Sequence, residues 1–316
     1  MKAFSFAVLA VACAQPLFAC DLCAIYSAAE SRGELGTGIY AGLAEQFTHF
    51  GTLQEDGVKV PNTDYQSEDS SITQILLGYN FTERFGVQFT APFIHRAFRR
   101  SEAGVIEEGN ESGLGDVSLV AHFQPIRHET MNTTFAWNLL GGIKMPTGDS
   151  SRIAEELSET PPPYGAVESG IHGHDLALGS GSWDGIVGTS IYARWKRAFF
   201  SAATQYSLRT RGDFDYQYAN DLTWSGGPGV LLVLDDLTTL SLQANVSGET
   251  KGLDNLAGTP AEDTGITSVF LGPELQFEWR GKLSAELGAD FPVSIDNTAL
   301  QIVPDWRVRA AFTWHF

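Results

Sequence analysis

The chain ends on a strand, and that strand constrains what the rest can fold into. From Trp306 onward, residues Trp306, Val308, Ala310, Phe312, Trp314 and Phe316 share one face, and Arg307, Arg309, Ala311, Thr313 and His315 the other. A period of two with one apolar and one polar face belongs to a β-strand held between two different media. The apolar face begins and ends with aromatic residues, as expected of a strand crossing a bilayer between two interfacial girdles. An edge strand of a soluble β-protein would alternate in the same way, so the decision falls to the rest of the chain.

Eleven further segments read as strands: residues 36–50, 72–81, 85–98, 117–123, 134–144, 183–195, 200–208, 223–234, 237–249, 269–279 and 283–287. The second sets Ile75, Leu77, Tyr79 and Phe81 on one face; the fifth sets Phe135, Trp137, Leu139 and Ile143 against Thr134, Asn138 and Lys144. Most are near the length that a tilted strand needs to cross a membrane. Their connections alternate as well. Short turns fall at 80–84, 124–131, 196–197, 235–236 and 280–282, and long loops at 51–71, 99–115, 147–182, 209–222, 250–265 and 292–302. Short turns interleaved with long loops are what an even-stranded barrel shows when both ends of the chain face the periplasm.

Charge and aromatics follow the same division. Of the net charge of −18, much sits in the long loops, as at Glu102, Glu107, Glu108 and Glu111. Phe81, Phe85, Trp195, Phe199, Trp279, Trp314 and Phe316 gather beside the short turns, where a periplasmic girdle belongs. A soluble sandwich has no reason to segregate loop length, charge and aromatics together. The expected fold class is therefore all-β: an antiparallel transmembrane β-barrel of about 12 strands, with short periplasmic turns and long acidic extracellular loops.

The ends of the chain fit that setting. Residues 1–19 read as a signal peptide, with Lys2 followed by an apolar run too short to span a bilayer, and cleavage placed after Ala14 or Ala19. Residues 20–35 read as a periplasmic tail and 36–316 as the barrel. No apolar run is long enough for a spanning helix. No Lys/Arg stripe exists to neutralise phosphates, which argues against a nucleic-acid partner. The expected site is the outer membrane of a Gram-negative-type bacterium, among lipid and lipopolysaccharide.

Three blocks stand out in the middle of the chain: Gly113-Leu114-Gly115-Asp116, Lys144-Met145-Pro146-Thr147-Gly148-Asp149, and His174-Asp175-Leu176-Ala177-Leu178-Gly179-Ser180-Gly181-Ser182-Trp183-Asp184. Their order and composition resemble the outer-membrane "transporter" family of the MetA-pathway of phenol degradation type. The resemblance covers residues 72–316, with its specific signal between Gly113 and Asp184. It implies a barrel that admits hydrophobic or aromatic compounds, and no catalytic residue. From physics alone the glycine-rich block is a rim loop that folds back tightly, with a constriction as the functional alternative. The closing aromatic at Phe316 likewise resembles the C-terminal signal by which such barrels meet their assembly machinery.

The inward polar faces nominate Lys144, Arg194, Arg307 and Arg309 for a solute path, together with Gln74, Gln88, Asn138, Gln205 and Gln243. A charge costs about 2–4 kcal/mol on a lipid face at mid-depth, so the two arginines belong inside, with Glu274 or Glu286 as partners. Guarding a path and plugging the barrel both stay open. Cys20 and Cys23 form a CxxC whose outcomes are a disulfide, lipidation of Cys20, or a metal or redox role. His172, His174 and Asp175 could hold a transition metal, or be a solvated or rim-packed pair in a loop expected outside the cell. No cofactor is expected. Passage of small molecules is the leading reading and a structural or partner-scaffold barrel the second. A rim-active lipid-modifying enzyme is the third; His95 is its candidate base, with His49 and His122 unremarkable and no serine singled out.

Overall fold

The computed structural model describes residues 37–102, 104–158 and 168–316. Twelve long strands form one closed antiparallel barrel: β1 (Gly38–Glu55), β2 (Ser67–Thr82), β3 (Phe85–Glu102), β4 (Val117–Glu129), β5 (Thr133–Met145), β6 (Asp184–Trp195), β7 (Ala198–Leu208), β8 (Asp221–Leu234), β9 (Thr238–Lys251), β10 (Ile266–Trp279), β11 (Leu283–Asn297) and β12 (Leu300–His315). Each pairs with its neighbours in the chain, and β12 closes the ring on β1 from Tyr40↔His315 to Glu55↔Leu300. The signal segment 1–19 and the tail with Cys20 and Cys23 lie outside the described residues.

The alternation of the sequence decides which way each side chain points. Leu77, Phe89, Leu139, Leu275 and Phe312 are exposed on the outer surface, while Gln46, Gln74, Gln243 and Arg307 on the intervening positions are buried inside. Aromatics mark the two edges of the outer apolar band. At one edge Phe81 stacks on Phe85 at 5.6 Å and Trp279 lies 6.5 Å from Trp314. Trp306 stacks on Phe47 at 5.3 Å near the other. The strand between Trp306 and Phe316 spans about 33 Å, or about 25 Å of height at the usual tilt, which matches a lipid-facing band.

Several expectations need correction, among them the loop 51–71, whose residues 67–71 are strand, and the turn 124–131, where the strand runs on to Glu129. Phe199 does not belong to the girdle: it is buried inward with Ala136, Tyr192 and Leu231, and its neighbour Phe200 faces out. The expected loop 99–115 contains a strand, Val105–Leu114, which pairs with β3 and carries that hairpin above the membrane. The expected loop 292–302 is mostly strand, with only residues 298–299 between β11 and β12.

Proline explains why that last region reads as loop. Pro92, Pro125, Pro228, Pro273, Pro292 and Pro304 all lie within barrel strands, and each sits at a ladder interruption or register shift. Having no N–H, proline is tolerated in a sheet only where a ladder bond is already missing. β11 and β12 pair only from Leu283↔Trp314 to Asp290↔Arg307, while beyond Arg307 β12 continues its pairing with β1.

The described parts of the β5–β6 connection do not project away from the barrel. A 3-10 turn (Ser151–Leu157) and one helical turn, α1 (Gly173–Leu176), pack into the outer mouth. Ile171 and Leu176 are fully buried against Leu53, Phe98 and Ile302, and Leu178 packs on the inward-facing Ile72 and Ile94. Ile153 and Ala177 meet Tyr216 and Tyr218 from the β7–β8 connection. These segments form a plug.

Candidate functional site

The barrel interior carries three ionic clusters at different places along its wall. In the first, Arg307 Nε donates to Asp290 at 3.3 Å and its Nη2 to Ser247 at 3.1 Å, with the guanidinium 4.2 Å from the centre of the Phe270 ring. Arg309 donates to Asp290 at 2.8 Å, to Glu274 at 3.2 Å and to Glu286 at 3.3 Å. Both expected partners are therefore present, and Asp290, missed in the sequence, joins the two arginines. With Glu249 3.9 Å from Arg307, two cations face four carboxylates, so this stretch of the lumen is acidic.

The second cluster brings the three sequence blocks together at the rim. Lys144 Nζ lies 2.7 Å from Asp116, 2.8 Å from Asp184 and 2.6 Å from Ser180 Oγ. Asp116 also accepts from Ser180 N at 2.9 Å and Gly148 N at 3.0 Å. Thr147 Oγ1 donates to Gly115 O at 2.9 Å, and Arg209 extends the chain of charges from Asp184 to Asp221. Burial alone would raise the Asp116 pKa; Lys144 and the Ser180 donors outweigh it and hold the group below its ordinary value. Gly148 and Gly179 lie back to back: a Cβ on Gly148 would sit 2.5 Å from Leu178 O and 2.7 Å from Gly179 Cα. Only glycine allows that approach.

The third cluster belongs to the plug. His174 lies 3.0 Å from Glu156 through Nδ1 and 3.3 Å from Asp175 through Nε2, while His172 Nε2 is 3.4 Å from Asp263. The two rings are parallel at 5.8 Å, and His174 N donates to Glu156 at 2.8 Å. Burial opposes the His174 cation, but Asp175 and Glu156 more than compensate and raise its pKa well above the usual histidine value. Arg100, its guanidinium 5.6 Å from the centre of the Phe98 ring, reaches Glu107 at 2.7 Å and Glu155 at 2.9 Å, tying the plug to β3.

Small chambers separate these clusters. One of about 80 Å³ lies under the plug, bordered by Glu68, Arg96, His174, Tyr218, Glu249 and Lys251. It shares Glu249 with a second of about 80 Å³ beside Arg307 and Arg309, which shares Gln205 with a third of about 70 Å³ beside Lys144 and Asp184. A wider vestibule of about 230 Å³ opens among the short turns, bordered by Arg127, Tyr192, Arg194 and Leu231. Both amide atoms of buried Gln46, the Gln74 carbonyl oxygen and the Asn245 amide nitrogen make no hydrogen bond to protein. Buried groups of that kind call for water or solute.

Among the nominated residues, Lys144, Arg307 and Arg309 line the chambers, and Arg194 stands apart in the vestibule, donating to Thr134 at 2.8 Å. Gln74, Gln88, Asn138 and Gln243 are buried inward as expected. His172, His174 and Asp175 come together, but in a buried plug rather than a solvated loop, with Glu156 and Asp263 as partners that local sequence spacing could not supply. His95 lies on the outer surface with Ser112 Oγ at 2.5 Å. His49 pairs with Asp69 at 2.7 Å, and His122 contacts Asn80 at 3.0 Å.

Comparison with protein-family models gives no match, and comparison with curated proteins gives none either. Among solved structures, the COG4313 outer membrane channel from Pseudomonas putida F1 is similar at a TM-score of 0.61 and 15% identity, over 89% of this chain and 97% of that one. The translocator domain of the autotransporter NalP from Neisseria meningitidis reaches 0.42 at 13% identity, over 91% and 92%. The CymD monoaromatic hydrocarbon channel reaches 0.37 at 7% identity, over 90% and 90%. The chain has the fold of a twelve-stranded outer-membrane β-barrel.

Proposed function

We propose that this barrel sits in the outer membrane and passes small molecules, and that the conformation described is its closed state. The observation that carries this reading is the set of three polar chambers inside the lumen, neighbours in that two of them share Glu249 and two share Gln205 in their walls. Each chamber is about half the roughly 150 Å³ that holds a benzene-sized guest. Passage therefore requires the plug or the arginine cluster to move. The resemblance of the three central blocks to the phenol-degradation proteins points the solute toward hydrophobic or aromatic compounds, and the fold likeness to a named outer membrane channel is consistent with the class.

The test is solute flux into liposomes holding the refolded protein, with Gly148→Val as a variant whose plug is unseated. Slow flux of small aromatic solutes in the parent and faster flux in the variant are expected. Silence in both would remove the channel reading in favour of a scaffold.

A further inference from the structure

The histidine cluster of the plug is not used by the channel reading. Glu156, His174 and Asp263 can each present one ligand atom with all three within 4.8 Å of one another. Imidazole with carboxylates is a donor set for zinc and similar divalent ions, at bonds of about 2.0–2.2 Å. Closing the triangle needs the ligands to draw together by about 1 Å, which the partly exposed Asp263 can supply. Both His174 nitrogens face a carboxylate, Nδ1 toward Glu156 at 3.0 Å and Nε2 toward Asp175 at 3.3 Å, so an ion between Nδ1 and Glu156 would take the place of the proton there while Asp175 keeps the other N–H. A metal-bound imidazole whose other N–H is held by a carboxylate is the recurrent second-shell arrangement of histidine sites. His172, at 3.4 Å, holds Asp263 in the corresponding way.

Charge supports the same assignment. Three carboxylates surround two imidazoles, with Glu156 and both rings largely buried. Three carboxylates against two imidazoles leave the cluster net negative, which favours a cation among them. The three candidate ligands also come from three places: the 3-10 turn, α1 and the β9–β10 connection.

We propose that Glu156, His174 and Asp263 bind one divalent cation of the zinc class, which fastens the plug to the β9–β10 connection. Asp175 and His172 are positioning residues that orient His174 and Asp263. The proposal stands whether or not the barrel conducts.

The experiment uses the full chain carrying Cys13→Ser, Cys20→Ser and Cys23→Ser, so that thiols cannot supply the signal. After chelator treatment it is titrated with Zn²⁺ by calorimetry and with Co²⁺ by visible absorption. One-to-one saturable binding is expected, with ligand-field bands for Co²⁺ and slower proteolysis of the plug when Zn²⁺ is bound. Asp263→Asn, the loss of a direct ligand, should weaken binding by at least the roughly tenfold that loss of an outer-shell partner costs, and His174→Gln should abolish it, whereas His95→Ala and His128→Ala leave it unchanged. If His174→Gln fails to fold, Asp263→Asn decides, because that partly exposed loop residue can be changed without opening the core. Absence of saturable binding, or equal binding in parent and Asp263→Asn, overturns the proposal.

Discussion

Replacing Lys144 by methionine tests the idea that one ammonium holds the three central blocks together. The substitution keeps the bulk of the side chain and removes the charge from between Asp116 and Asp184, both nearly inaccessible to solvent. Breaking a buried pair by deleting one partner costs about 3–5 kcal/mol. The lower end applies here, because Asp184 keeps Arg209 at 2.9 Å and Asp116 keeps the Ser180 and Gly148 amides. A loss of about 3 kcal/mol corresponds to a fall of about 1–2 M in the urea midpoint, measured on folded barrels in detergent by tryptophan fluorescence. Asp116→Asn in the same background should recover part of the loss, with a coupling of about 1.5–3 kcal/mol in the double-mutant cycle. The deficit should also shrink at low pH, where Asp116, freed of Lys144, takes up a proton. A loss under about 1 kcal/mol, or additive single effects, would refute a hub at Lys144.

Acid should unseat the rim by the same chemistry. The Asp116 pKa is lowered on folding, so its contribution is present above the ordinary carboxylate value and is lost as pH falls through the lower folded value. Protease sensitivity of the plug should therefore rise below about pH 4, and Asp116→Asn should blunt that response; an unchanged acid profile in the variant counts against it. Arg309→Met leaves Arg307 alone among four carboxylates, so any ion current carried by a plug-loosened barrel should shift toward cations by reversal potential. Anion preference in that variant would contradict the acidic lumen. Leu176→Ala removes a fully buried plug side chain and should destabilise the folded barrel by about 2–5 kcal/mol in urea titration; a neutral result would mean the plug is not packed as described.

The barrel was legible because lipid and lumen force a contrast at every second residue, from Ile75-Leu77-Tyr79 to the closing strand. The contrast fades where strands rise above the membrane. Ser67 to Ser71 and the strand Val105–Leu114 are polar on both faces, and nothing in the pattern separates them from loops. Pro292 and Pro304 misled for another reason, since only the register shows the bulges that admit them. At Phe199-Phe200 two adjacent aromatics leave the face undecided until pairing is known. The central blocks were visible as motifs, but their shared cause, Asp116 meeting Lys144 and Ser180, depends on contacts 28 to 64 residues apart. Asp290 was overlooked because an acidic residue in a predicted strand carries no local mark of the arginines it will bridge.

The plug sits on the barrel's own join. Leu53 of the first strand and Ile302 of the last are partners across the closing ladder, and Ile171 and Leu176 cover both. Ile302 N donates to Gly170 O at 2.8 Å, and Gly170 N donates back to Gln66 at 3.0 Å. Gly170 is pressed so close that a Cβ there would meet Leu53 at 2.4 Å. The two ends of the ring are thus riveted by a segment from mid-chain. Whatever drives that segment outward loosens the circle at the seam between its first and last strands, and a barrel that has not yet swallowed it lacks the fastening at the outer end of that seam.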